Sequence, residues 1–210
     1  MALTLDSDWL REFRRAHLAP ILWMRLEALN TTVTSATTNT STTVTPSSMT
    51  GLVVGMEVTG TGIPATTTIT VVGGSTVTIS NAATVTNGTA SITYMKVFNF
   101  LSGPSDNIDG QICIDTVAPI TQALDPYSRE LTSDESNVSF IDDGVVRRVS
   151  ATYPLIGKKV IIRLGVASLG ITEFADYFTG YIQDVLPSEG VIEFRCSAFV
   201  SMTEDRVFGG

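Results

Sequence analysis

Basic side chains, histidine and cysteine are all scarce in this chain of 210 residues. Thirteen Lys and Arg stand against 21 Asp and Glu, a formal net charge of −8. Duplex affinity comes mainly from basic groups that neutralise phosphates, so nonspecific nucleic-acid binding is disfavoured. The one histidine, His17, permits a Ser-His-Asp or Cys-His arrangement in a single way and excludes a multi-histidine metal site. Cys113 and Cys196 have neither CxxC nor Cys/His spacing and read as buried thiols, not as zinc ligands or a disulfide framework. No apolar run reaches the roughly 18 residues that a membrane-crossing helix needs. The 43% of apolar residues therefore sits in short segments, enough to bury a sizeable core. Near the start, Asp6, Asp8, Arg11 and Glu12 occupy the place where a secretory peptide needs its apolar middle, so no export signal is expected.

Charge is also absent locally. From Ala28 to Tyr94 the only charged side chain is Glu57, and Thr31 to Thr93 holds 22 threonines. Such composition alone would fit a disordered stalk. Local alternation argues otherwise: Val77 and Ile79 alternate with Thr76, Thr78 and Ser80, and Ile69 and Val71 with Thr68 and Thr70. Period two means half-buried strands, and β-branched side chains suit a pleated surface. Turn signals at Gly60 to Pro64, Gly73-Gly74 and Asn87-Gly88 separate the runs. Sequons at Asn30, Asn39, Asn87 and Asn137 read as chance products of a threonine-rich chain.

Around this module the charged chain resumes. Ser7 can cap a helix whose apolar face is Trp9, Leu10, Phe13 and Ala16, and Pro20 stops it. Ile21 to Leu29 reads as a strand that buries Leu22, Met24, Leu26 and Ala28, and Ser91 to Leu101 as another. Residues 31–93 are thus expected to be an inserted small all-β, sandwich-like module at the tip of a hairpin with arms 21–29 and 94–101. The host is 1–30 with 94–210. Its strand candidates are Gln111 to Ile114, Val138 to Ile141, Lys159 to Leu164, Phe178 to Val185 and Val191 to Ala198. Asp143-Gly144 signals a turn, and 145–156 leans towards a short helix. The fold class is mainly β, a barrel or sandwich with one or two short helices.

Several groupings invite a chemical reading. Asp142-Asp143 and Asp134-Glu135 pair carboxylates as glycoside hydrolysis requires. Yet Asp-Gly is a turn signature, and TSDESN suits a solvated loop. The stretch GMEVTGTGIP lacks phosphate-loop spacing and any lysine. Trp9, Trp23, Tyr127, Tyr153, Tyr177 and Tyr181 are scattered and read as packing residues before they read as a sugar platform. The basic doublets Arg147-Arg148 and Lys158-Lys159 fit contacts with an acidic neighbouring subunit. No catalytic, cofactor-binding or metal-ligating residue is assigned, and the chain is expected not to be an enzyme.

Three runs carry a resemblance: PITQALDPYSRELTSDESNVSFIDDG, then LIGKKVIIRLG, then EFADYFTGYIQDVLPSEGVIEFRCSAF. With the opening DWLREFRRAHLAPILWMRLEAL, they resemble tail-tip and baseplate proteins of tailed bacteriophages, of the hub or distal-tail type. The resemblance implies a tube-forming β domain whose LxGKxVxIxLG and FTGxIxDxxPxxGxIEF runs are core strands of a ring subunit. It implies a virion component assembled in the host cytoplasm, a homo-oligomer of three or six copies, and contacts with tail-tube and tip proteins. The threonine-rich module is similar to Thr/Gly-rich β modules that often decorate phage exteriors, and its hydroxyl-rich surface is expected to suit a neighbour or a host glycan. Like charge around a ring repels the duplex over about a Debye length, so DNA would pass without sticking. The strands are expected to close edge to edge with copies of themselves.

Overall fold

A computed structural model of the chain describes residues 20–106, 108, 110–118 and 135–198. The expected helix after Ser7, with Trp9 and His17, lies outside the described residues, as do Tyr127 and Asp134. The protein is mainly β. Its strands are β1 (Ile21–Thr37), β2 (Thr43–Pro46), β3 (Glu57–Gly60), β4 (Ile69–Val72), β5 (Val77–Ile79) and β6 (Asn87–Leu101). After them come β7 (Gln111–Ile112), β8 (Ile114–Val117), β9 (Glu135–Ile141), β10 (Lys159–Gly165), β11 (Ala175–Pro187) and β12 (Val191–Ala198). One helix, α1 (Val145–Thr152), and a 3-10 turn at Ile171–Glu173 complete the described elements. The chain separates into two compact units, one of Glu27–Val97 and one of the residues on either side of it.

In Glu27–Val97 the strand pairing returns to its origin. β1 pairs with β2, β2 with β5, β5 with β4, and β3 with β6, all antiparallel. β4 joins β3 through Val58 N–H to Thr67 O at 2.8 Å and Ile69 N–H to Met56 O at 2.9 Å, and β6 pairs with β1. Inside lie Val44, Leu52, Met56, Val58, Ile69, Val77, Ile79, Ala90, Ile92 and Tyr94. Alternation places the apolar residues there and leaves most threonines to solvent. Two expectations need correction. A register shift between Ile69 and Val71 turns Val71 outward. Asn87-Gly88 makes no turn but opens β6, with Thr89 N–H donating to Asn87 Oδ1 at 2.9 Å.

The other unit has its own circuit. β1 pairs with β10, then β11, β12, β9 and β8 follow, each antiparallel to the last. β7 leads into β8 through Cys113 and pairs in parallel with the end of β6. β6 returns to β1, where Ser102 N–H donates to Leu22 O at 3.0 Å. Phe100, Phe140 and Phe194 pack in sequence through this core, edge-on and tilted, with centroids 5.2 and 4.7 Å apart. A second cluster, Ile21, Trp23, Leu101, Val166, Leu169 and Phe174, means that β1 is buried on both sides here. Alternation alone puts Trp23 on the exposed face; Arg163 covers it, 5.8 Å from the ring centre. Leu22, which alternation puts inside, is only partly buried.

The strands named here pair within the chain, so the expected edge-to-edge closure with other copies falls to the edges that remain. Among the described residues, β7 pairs only with β6 and β8 only with β9, so each keeps an outer edge in this unit, that of β8 being the longer. A register shift around Asp115 and the exposed charge of that residue blunt the β8 edge.

Candidate functional site

Asp142-Asp143 is the densest described group of chemistry-bearing side chains. Asp142 Oδ2 accepts from Arg147 Nε at 2.9 Å and also from Arg147 Nη2. Asp142 Oδ1 accepts from Gly144 N–H at 3.3 Å. The Arg147 hydrogen bonds are the main reason its pKa lies below the ordinary carboxylate value. Asp143 Oδ1 accepts from Val145 N–H at 2.9 Å, and Oδ2 from Gln111 Nε2 at 3.0 Å. Gly144, at φ 83, supplies the left-handed residue that opens α1. The pair therefore starts a helix. Val146 and Val149 bury one face of α1, and Pro154 ends it short of the expected residue 156.

The other candidate residues also find structural places. Glu135 opens β9 and does not lie in a loop. Arg147, expected as a contact for a neighbour, pairs with Asp142 of its own chain while staying exposed. Arg148 Nε donates to Gly144 O at 3.2 Å. Tyr153 packs edge-on against Phe98 at 5.6 Å, whereas Tyr177 and Tyr181 lie half-buried on β11, and Trp23 stands apart from them on β1. Cys113 and Cys196 are free and buried, and burial pushes both thiols up to about 12. Among the described residues no group of three His, Cys, Asp or Glu is arranged to hold a metal ion, and no helix is long and apolar enough to cross a membrane.

What sequence reasoning missed is an exposed set of large aliphatic side chains. Ile112, Ile141 and Ile156 are 52%, 54% and 67% exposed in the circuit of β7 to β12. Val53, Val54, Val71 and Val85 are exposed on Glu27–Val97. Alternation does carry a signal for two of them, since Ile112 adjoins buried Cys113 and Ile141 adjoins buried Phe140. Comparison with protein-family models, with curated proteins and with solved structures finds no match.

Proposed function

We propose that this chain is a non-enzymatic structural subunit of a bacteriophage tail tip or baseplate. Copies of it form a ring around the DNA channel in the virion and join the tail tube to tip or fibre proteins. The observation that supports this best is where the resembling runs fall. LIGKKVIIRLG becomes the approach to β10 and β10 itself, and FTGYIQDVLPSEGVIEF becomes the β11–β12 hairpin, three neighbouring antiparallel strands. Two of their glycines are there for space: a Cβ on Gly165 would lie 2.2 Å from the Phe174 ring, and one on Gly180 would lie 2.1 Å from Ser197 O, whereas Gly157 and Gly190, at φ 76 and 75, serve backbone conformation. The pattern encodes packing and not chemistry.

Charge supports the same reading. Glu27–Val97 contains only Glu27, Glu57 and Lys96, so the rest of the chain carries twelve basic and nineteen acidic residues, net −7. A ring of such subunits repels a duplex in its lumen. Sedimentation and particle images of the purified chain test the reading, with ring-shaped oligomers as the expected result. A chain that stays monomeric at high concentration and is missing from tail preparations overturns it.

A second reading, attachment to a host surface through residues 31–93, draws on the exposed valines of that module. Deleting the module separates the two: normal tails that no longer adsorb favour attachment, and failed assembly favours the structural role.

A further inference from the structure

We propose that neighbouring copies meet head to tail. An apolar knob at Ile156 of one subunit seats on the patch formed by Ile112 and Ile141 of the next, and Lys158 and Lys159 face Asp115 and Asp143. The inference rests on the ring reading and specifies its contact.

Scattered exposed aliphatics are ordinary on protein surfaces. These three differ in being held out on firmly bonded backbone. Ile112 lies between Gln111, whose amide donates to Asp143, and buried Cys113, whose carbonyl accepts from Ile141 N–H at 2.8 Å. The bond from Ile141 N–H to Cys113 O ties Ile141 to the residue next to Ile112, while Cys113 and Phe140, the neighbours of the two isoleucines, are buried. Ile156 follows buried Leu155 and precedes Gly157, at φ 76, whose N–H donates to Ile182 O at 2.7 Å. Ile182 N–H returns to Lys158 O at 3.0 Å, which anchors the loop just beyond Ile156.

The charges beside the two surfaces are opposite. Asp142 is already matched by Arg147. Asp115 and Asp143 have no cation beside them, and Lys158 and Lys159 have no carboxylate, among the described residues. Two knobs brought together would set lysine against lysine, and two patches aspartate against aspartate. Only knob on patch pairs unlike charges around an apolar centre. On one subunit these surfaces hang on different strands, the knob on β10 and β11 and the patch on β7 to β9, with β12 between them. Two spacings between neighbouring strands amount to about 10 Å. A contact between two different surfaces is heterologous, which is the kind that builds rings when its rotation closes.

The test uses the full chain and sedimentation velocity across a concentration series, with circular dichroism melts to confirm that each variant folds. Ile156→Asp and Lys158→Glu should each weaken self-association about tenfold or more, and Ile156→Ser should do so without adding charge. Asp115→Lys combined with Lys158→Glu in one chain should recover most of the loss. A double variant as weak as Lys158→Glu alone overturns the charge pairing. Variants that assemble as tightly as the parent overturn the contact while the ring reading stands. A parent chain that remains monomeric overturns both.

Discussion

Asp142 shows how much one carboxylate can fix. Its two oxygens hold Arg147 and Gly144 N–H, so the last residue before the turn, the turn and the first half of α1 are tied together. Because its pKa is lowered in the folded state, its contribution to stability is full above the ordinary carboxylate pKa near 3.8 and is lost as pH falls below it. Asp142→Asn should therefore lower the melting temperature at about pH 7 and make little difference at about pH 2.5. Equal losses at both values would mean that the charge plays no part. Neighbouring aspartates in a sequence look alike whether they activate a water or start a helix. Here the Arg147 side chain, arriving from one helical turn away, ties Asp142 to the start of α1, a contact that the DDGVVR run contained but did not orient.

Elements were legible wherever alternation ran uninterrupted. Ile192, Phe194 and Cys196 on β12 face inward as the sequence requires, and each is at most 1% exposed. Alternation failed where the backbone inserts a residue, as at Ile69 to Val71, because a bulge moves a side chain to the other face without changing the local pattern. It also could not show that β1 and β6, of 17 and 15 residues, each run straight across the change in composition. Composition records which side chains meet water, whereas strand length is set by pairing. The β11–β12 hairpin offers an element-scale test. Gly180 sits where a Cβ would meet Ser197 O and the Phe178 ring, so Gly180→Ala should destabilise the protein by about 1–3 kcal/mol in denaturant titrations. An unchanged midpoint would show that the hairpin opens freely to admit the methyl. Gly190, with φ 75 and open space around it, tolerates a side chain sterically but not conformationally.

At the scale of the whole molecule, each unit has its own core and its own circuit of pairing. The threonine hydroxyls of Thr32 and Thr93 lie 2.8 Å apart, which brings the two arms together at the ends of the module. Replacing residues 31–93 by Asn-Gly, the dipeptide favoured in two-residue hairpins, should therefore leave the remaining unit folded. The check is a cooperative thermal melt with retained β-type circular dichroism; a gradual melt would mean that the unit needs the module to fold. The excised chain also serves the comparison of assembly and adsorption.

The sequence by itself determined that this is a β protein with a threonine-rich segment charged only at Glu57 set within an acidic chain, and that its two cysteines are buried. Those properties depend on side-chain type and on a period of two, both of which are written residue by residue. Only the tertiary structure decided which strands separated by scores of residues pair with one another, that Asp142 belongs to Arg147, and that Ile141 N–H meets the carbonyl of Cys113, the neighbour of Ile112. The reason is physical: a hydrogen bond between distant strands depends on which edges remain free once every other pairing is made, and no local stretch of chain contains that information.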